Sequence, residues 1–348
     1  MKDYIQLLQN LIRIPSFSRE EGETACLLQQ FLESKGIAEV HREKNNIWAT
    51  VRHFDANRPT LLLNSHHDTV RPCASYTRDP FIPTLEDGRL YGLGSNDAGA
   101  SLVSLITVFC DLYNEPLPFN LLLALSAEEE VTGESGIRHL LPMLPRIDMA
   151  IVGEPTQMRV ALGERGLVVL DGVALGVSGH AARNEGVNAL YQALDDIQCL
   201  RQFRFERESS LLGPIKVSVT QIQAGTQHNV VPDECRFVVD VRTTDAYSNE
   251  ETVNLLQSAV KSRLTARSTR IRASAIEVGH PLVKSALSAG LSTFVSPTTS
   301  DMSQMAFPSI KVGPGDSARS HSADEWVGVG EIEQAIGLYK EIILNLKP

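Results

Sequence analysis

Apolar residues along the first half of the chain fall into short continuous runs and helically spaced runs that alternate, which predicts an α/β layer architecture. MKDYIQLLQNLIRIP reads as an amphipathic helix ending near Pro15, and residues 21–36 read as a second helix closed by Gly36. NIWATVRH and TLLLNSHHD follow as strands, and the second is apolar enough to lie in the middle of a sheet. Residues 99–114 form the next predicted helix, FNLLLALSA another buried strand, SGIRHLLPML a short helix and DMAIVGEP a further strand.

Near residue 165 the order changes. A strand (LVVLDGVALGV), a helix (GVNALYQALDDIQCL) and two strands (PIKVSVTQIQA, ECRFVVDVR) precede a helix (NEETVNLLQSAVKSRL) and a last strand (TRIRASAIE). Strand–helix–strand–strand–helix–strand is the split βαβ pattern, a four-stranded antiparallel sheet backed by two helices. The expected organisation is one domain formed by residues 1–164 and 277–348, with a ferredoxin-like α+β domain inserted over 165–276. The C-terminal helix EIEQAIGLYKEIILNLK closes the first domain.

At 348 residues the chain is long enough for two cores, and its 43% hydrophobic and 21% charged residues argue against disorder. A formal net charge of −10 disfavours nucleic acid and anionic membrane surfaces as partners, while leaving room for a small anionic substrate held by local arginines. No apolar run approaches the ~20 residues that span a bilayer. The N-terminus lacks the apolar stretch and cleavage site of a secretory signal. Five scattered cysteines without a CxxC pair read as thiols of a cytoplasmic protein.

Histidine and acidic residues recur at the ends of the predicted buried strands, where α/β folds build their sites. Along the strand ending His66-His67-Asp68, alternation puts His66 and Asp68 on one face and His67 on the other. His66 then suits a metal ligand with Asp68 orienting its ring, or else a histidine that merely caps a strand. The glycine-rich turn Gly92-Leu93-Gly94-Ser95-Asn96-Asp97 lacks the lysine of a phosphate-binding loop, Ala100 standing after its last glycine, so its role reads as close approach of Asp97 to a metal pair. Glu128-Glu129-Glu130 follow the LLLAL strand, Glu154 follows AIVG, and His321 stands far along the chain. Acidic triplets are commonly solvated loops, but a buried strand before this one favours a cation. Together these residues supply the histidine and carboxylate ligands that a pair of Zn²⁺-like ions takes, plus a spare glutamate. No GxSxG or cysteine nucleophile motif competes.

The strings HHD, GLGSNDAG, AEEE, VGEP and RSH, in this order over nearly the whole chain, resemble an aminoacylase-type metallopeptidase family. Its members include acetylornithine deacetylase, succinyl-diaminopimelate desuccinylase and glutamate carboxypeptidases. The resemblance implies a mixed sheet with helices on both faces, and an inserted lid through which two subunits form a homodimer. It implies that His66, Asp97 and Glu154 hold one divalent ion, that Asp97 bridges to a second, and that Glu130 and His321 complete the second. Zn²⁺ is the first expectation, and Co²⁺ or Mn²⁺ suit the same ligands. Glu129 would be the general base, Asp68 would hold His66, and the Asp97–Ala98 peptide would be cis.

In the lid, His180 of Gly179-His180-Ala181 resembles the residue that reaches into the partner subunit's site, and Asn229 resembles a second substrate contact. Arg165 and Arg242 match positions that clamp a substrate carboxylate, and Thr299 and Gly313-Pro314-Gly315 match further contacts. The bland alternatives are that His180 caps the helix starting near Gly186 and that Arg242 pairs with Asp240 or Asp245. Leu93, Ala98 and Gly99 depart from the family pattern without removing a ligand. The implied activity is hydrolysis of the amide of an N-acyl amino acid, foremost N-acetyl-ornithine in arginine biosynthesis, with N-succinyl-ornithine or a citrulline derivative as variants. The alternatives are a succinyl-diaminopimelate desuccinylase, a di- or tripeptidase, and a metal-dead binding protein.

Overall fold

The strands Thr60–His66 and Asn120–Ser126 are buried over their whole lengths in this computed structural model, which describes residues 2–183 and 185–347. Continuous burial follows from apolar residues on both faces of each strand, as in the middle of a parallel sheet covered on two sides. The chain divides into two compact units, Met1–Gly163 with Ile276–Ser296 and Ser300–Pro348, and Glu164–Ala275 with Pro297–Thr299.

In the first unit the strands lie in the order Val40–Glu43, Asn46–Thr50, Asn120–Ser126, Thr60–His66, Met149–Val152, Ser309–Lys311 and Val160–Glu164. The four from Asn120–Ser126 to Ser309–Lys311 are mutually parallel, and antiparallel strands flank them. Parallel strands bring their carboxyl ends to one edge: His66 pairs with Ser126, and both Asn64 and Lys311 pair with Val152. One sheet face packs Leu62, Leu122, Ala124, Ala150 and Val152 against Ile137, Leu140, Met302 and Met305. The alternate residues Leu61, Leu63, Leu121 and Leu123 are equally buried. The helix Ala100–Leu112 packs on these strands, and Val329–Asn345 packs against that helix. The fold is therefore the mixed α/β layer structure that the hydrophobic pattern predicts.

The second unit contains an antiparallel sheet in the order Lys216–Ala224, Glu234–Thr243, Gly166–Leu175, Arg263–Ala266, with helices Ala189–Gln202 and Asn249–Ser258. Its last strand departs from the predicted one. The helix expected over 249–264 stops at Ser258. Asp196 captures the backbone N–H of Lys261 (3.0 Å) and Ser262 (2.7 Å), and Gln257 accepts that of Leu264 (2.7 Å). These bonds turn the chain early, so Arg263–Ala266 takes the edge position instead of TRIRASAIE. Among the described residues no helix is long and apolar enough to cross a membrane.

Candidate active site

His66 ends a buried strand and is itself 1% exposed. Its Nδ1–H donates to the backbone carbonyl of Asp68 at 2.9 Å, which turns Nε2 towards Asp97 Oδ1 at 3.3 Å and Glu154 Oε1 at 3.8 Å. The Asp68 carboxylate stands 3.5 Å from the same Nδ1, so the main-chain and side-chain oxygens of Asp68 both face the ring. The carboxylate also accepts the backbone N–H of Glu129 at 3.0 Å and of Glu130 at 3.2 Å, with Ser18 Oγ at 2.7 Å. Burial opposes a charge on His66, but the Asp68 and Asp97 carboxylates and the Glu129 and Glu154 charges raise its pKa well above the ordinary histidine value.

Asp97 sits on a tight turn whose glycines are sterically required. Gly94 has φ +74°, and a Cβ there would meet Thr69 Cγ2 at 2.6 Å. At Gly99 a Cβ would lie 2.3 Å from the Gly94 carbonyl oxygen. The Asp97–Ala98 peptide is cis, as the resemblance implies. The two Asp97 oxygens face different histidines: Oδ1 lies 3.3 Å from His66 Nε2, and Oδ2 lies 3.6 Å from His321 Nε2.

The acidic triplet divides its work. Glu128 adopts φ 56° and turns its carboxylate to the Ser135 N–H at 3.2 Å, away from the histidines. Glu130 instead approaches His321 Nε2 at 2.9 Å. His66, Asp97 and Glu130 offer ligand atoms within 4.8 Å of one another, and so do His66, Glu129 and Glu154. Burial pushes the Glu154 carboxyl up to about 8 against the pull of His66, and Asp97 adds to the rise. Burial likewise raises Glu129 and Glu130, while the Glu130 hydrogen bond lifts His321 to about 9. Nitrogen and carboxylate donors converging with this excess of acid fit a divalent metal pair, which would relieve the repulsion.

His67 lies on the opposite side, as alternation predicts. Its Nδ1 meets Thr24 Oγ1 at 3.0 Å and its Nε2–H donates to Asn45 O at 2.9 Å. Burial holds its pKa down to about 4, so it is a neutral structural histidine.

In the second unit, His180 and Asn229 come together on a two-stranded ribbon, Gly179–His180 against Val230–Val231, where Ala181 N–H donates to Asn229 O at 3.0 Å. Both side chains are exposed. The helix after His180 is capped by Asn188, which accepts from Leu190 N–H at 2.9 Å, so His180 is not its cap. Arg242 makes a two-pronged pair with Asp240 at 2.9 and 3.1 Å, the bland alternative for that residue. Arg165 donates to the carbonyl of Pro214 at 2.7 Å and to that of Leu212. Both guanidinium groups thus have partners within their own unit. Thr299 is exposed.

Two buried acids around the site escape sequence reasoning. Glu21 accepts the Glu128 N–H at 3.1 Å, and Glu325 accepts three N–H groups of the Asp97 turn. The available signal for Glu325 was an acid leading directly into the apolar pair Trp326-Val327.

A family model for "Peptidase family M20/M25/M40" matches residues 62–345. The succinyl-diaminopimelate desuccinylase of Delftia acidovorans is 28% identical over 100% of this chain and 99% of its own. That of Stenotrophomonas maltophilia is 26% identical over 99% and 100%. Among solved structures, aminopeptidase PepT from Bacillus cereus superposes with a TM-score of 0.78 at 17% identity, covering 98% of this chain and 97% of that one. The Bacillus subtilis YXEP protein, described as a dinuclear metal binding peptidase from the M20 family, gives 0.71 at 16% identity, covering 98% and 96%. The chain belongs to peptidase family M20/M25/M40 and is a metal-dependent hydrolase of amide bonds.

Proposed function

We propose that this enzyme removes the acyl group from the amino nitrogen of an N-acyl amino acid, using two divalent metal ions. The observation that carries this reading is the placement of Asp97, one oxygen towards His66 and the other towards His321, with Glu129 beside them. His66 and Glu154 would hold one ion, Glu130 and His321 the other, and Asp97 both. Zn²⁺ suits these ligands first, and Co²⁺ or Mn²⁺ are the alternatives. When bound, such ions supply charge that polarises the amide carbonyl and makes water acidic enough to attack near neutral pH.

The residues of the chain supply the rest. Glu129, its carboxyl raised by burial, takes a proton from the attacking water and returns it to the departing amine. Asp68 holds the Glu129–Glu130 backbone, so the base cannot drift from the His66 side of the site. The exposed His180, with Asn229 beside it, is suited to reach a neighbouring subunit's substrate and stabilise charge developing on the carbonyl oxygen. This role requires a homodimer formed through the second unit. Arg165, Arg242 and Thr299 remain candidate substrate contacts, and the two arginines would first have to release their present partners. The five cysteines are free thiols, which agrees with a cytoplasmic setting.

For the acyl group, the curated relatives shift the choice. They are named succinyl-diaminopimelate desuccinylases, which supports an N-succinyl diamino acid ahead of N-acetyl-ornithine. The deciding experiment is amine release from N-succinyl-diaminopimelate, N-succinyl-ornithine, N-acetyl-ornithine and N-acetyl-citrulline. Fastest turnover of a succinyl substrate supports the proposal, preference for an acetyl substrate restores the deacetylase reading, and turnover of none refutes both.

A further inference from the structure

Glu325 is 2% exposed, and its carboxylate is filled by the backbone of a single turn. Oε2 accepts the N–H of Gly94 at 3.0 Å, and Oε1 accepts those of Asn96 and Asp97 at 2.9 Å each. Its own carbonyl accepts the Gly92 N–H at 2.9 Å. Asn96, inside the same turn, reaches the segment before His321. Its Nδ2 donates to Asp316 O at 3.1 Å and Ser320 Oγ at 3.2 Å, and its Oδ1 accepts the Asp316 N–H at 2.9 Å. Two stretches distant in sequence are thereby laced together, and each delivers one residue of a facing pair, Asp97 and His321, 3.6 Å apart.

We propose that Glu325 is a positioning residue of the metal centre, locking the Asp97 turn against the His321 segment and so setting the spacing of those two ligands. The inference rests on the two-metal reading above. Glu325 acts only through the main chain of the turn. An ionised carboxylate has acceptor sites for three N–H groups, whereas an amide has one acceptor oxygen and would set its NH₂ against one of the donors. Glu325→Gln keeps the volume and removes the match. Glu325→Asp keeps both carboxyl oxygens at a shorter reach.

The test measures Zn²⁺ affinity of the full chain by competition with a chromophoric chelator, and the visible absorption of the Co²⁺-loaded protein. In Glu325→Gln at least one of two ions should bind about 10-fold or more weakly. Its Co²⁺ bands should shift, and kcat should fall with KM little changed. Glu325→Asp should recover part of the affinity. Wild-type affinity and Co²⁺ bands in Glu325→Gln, whatever its thermal stability, would overturn the proposal. Should that variant not fold, unaltered affinity and bands in Glu325→Asp would overturn it equally. Wild-type protein that binds fewer than two ions would instead overturn the two-metal reading itself.

Discussion

The Asp68 carboxylate accepts the backbone N–H of Glu129 at 3.0 Å, although a separate strand delivers each residue to the sheet edge. Its other oxygen takes the Glu130 N–H at 3.2 Å and Ser18 Oγ at 2.7 Å. One buried acid therefore fixes the backbone of both the proposed base and a proposed ligand. Asp68→Asn, which turns an NH₂ towards one of these donors, should lower kcat by about 10–100-fold. Steady-state kinetics with parallel metal analysis checks this, and metal content should fall less than turnover.

The roles of the adjacent glutamates separate in the same assay. Glu129→Gln should retain both ions and lose about 10²–10⁴-fold in kcat. Glu130→Gln should lose metal on dialysis, because its carboxylate is the partner of His321 at 2.9 Å. Identical behaviour of the two variants would refute the division of roles.

His66 and His67 are neighbours with opposite fates. His67→Ala leaves the Asn45 carbonyl without its donor and should cost about 1–3 kcal/mol in stability, read from urea unfolding. Its metal stoichiometry should match wild type. His66→Ala should lose metal instead.

Subunit complementation tests His180. His180→Ala and Glu129→Gln are each expected to be nearly inactive. In a mixed dimer, one site would combine an intact Glu129 with an intact His180 from the other subunit. Mixing under exchanging conditions should restore turnover, and persistent inactivity after verified exchange would exclude action in trans.

Much of the candidate site was legible because its histidine and acidic residues stand at or just past the ends of strongly apolar strands, and parallel pairing brings such ends together. His66, Glu130 and Glu154 all follow this rule, and the glycines around Asp97 announce a turn of unusual closeness. Long-range capping of backbone groups was not legible. Glu325 serves the Gly94–Asp97 turn and Glu21 serves Glu128, partnerships across the fold that leave no periodicity in either segment. For the same reason the helix stop at Ser258 was missed, since Asp196 imposes it from another helix. Arg242 had two readings in sequence. A substrate clamp and a pair with Asp240 or Asp245 stood open together, and the structure displays the pair with Asp240, which shares its side-chain direction on one strand.

In the proposed mechanism two ions, held around Asp97, are required for amide hydrolysis. Its most direct test strips the protein with a chelator, adds back Zn²⁺ or Co²⁺ in measured equivalents, and follows amine release from the preferred N-acyl amino acid. No turnover is expected without metal, and activity should rise to a plateau only at two equivalents per chain. Full activity after verified metal removal, or no hydrolysis of any N-acyl amino acid with two ions bound, would contradict it.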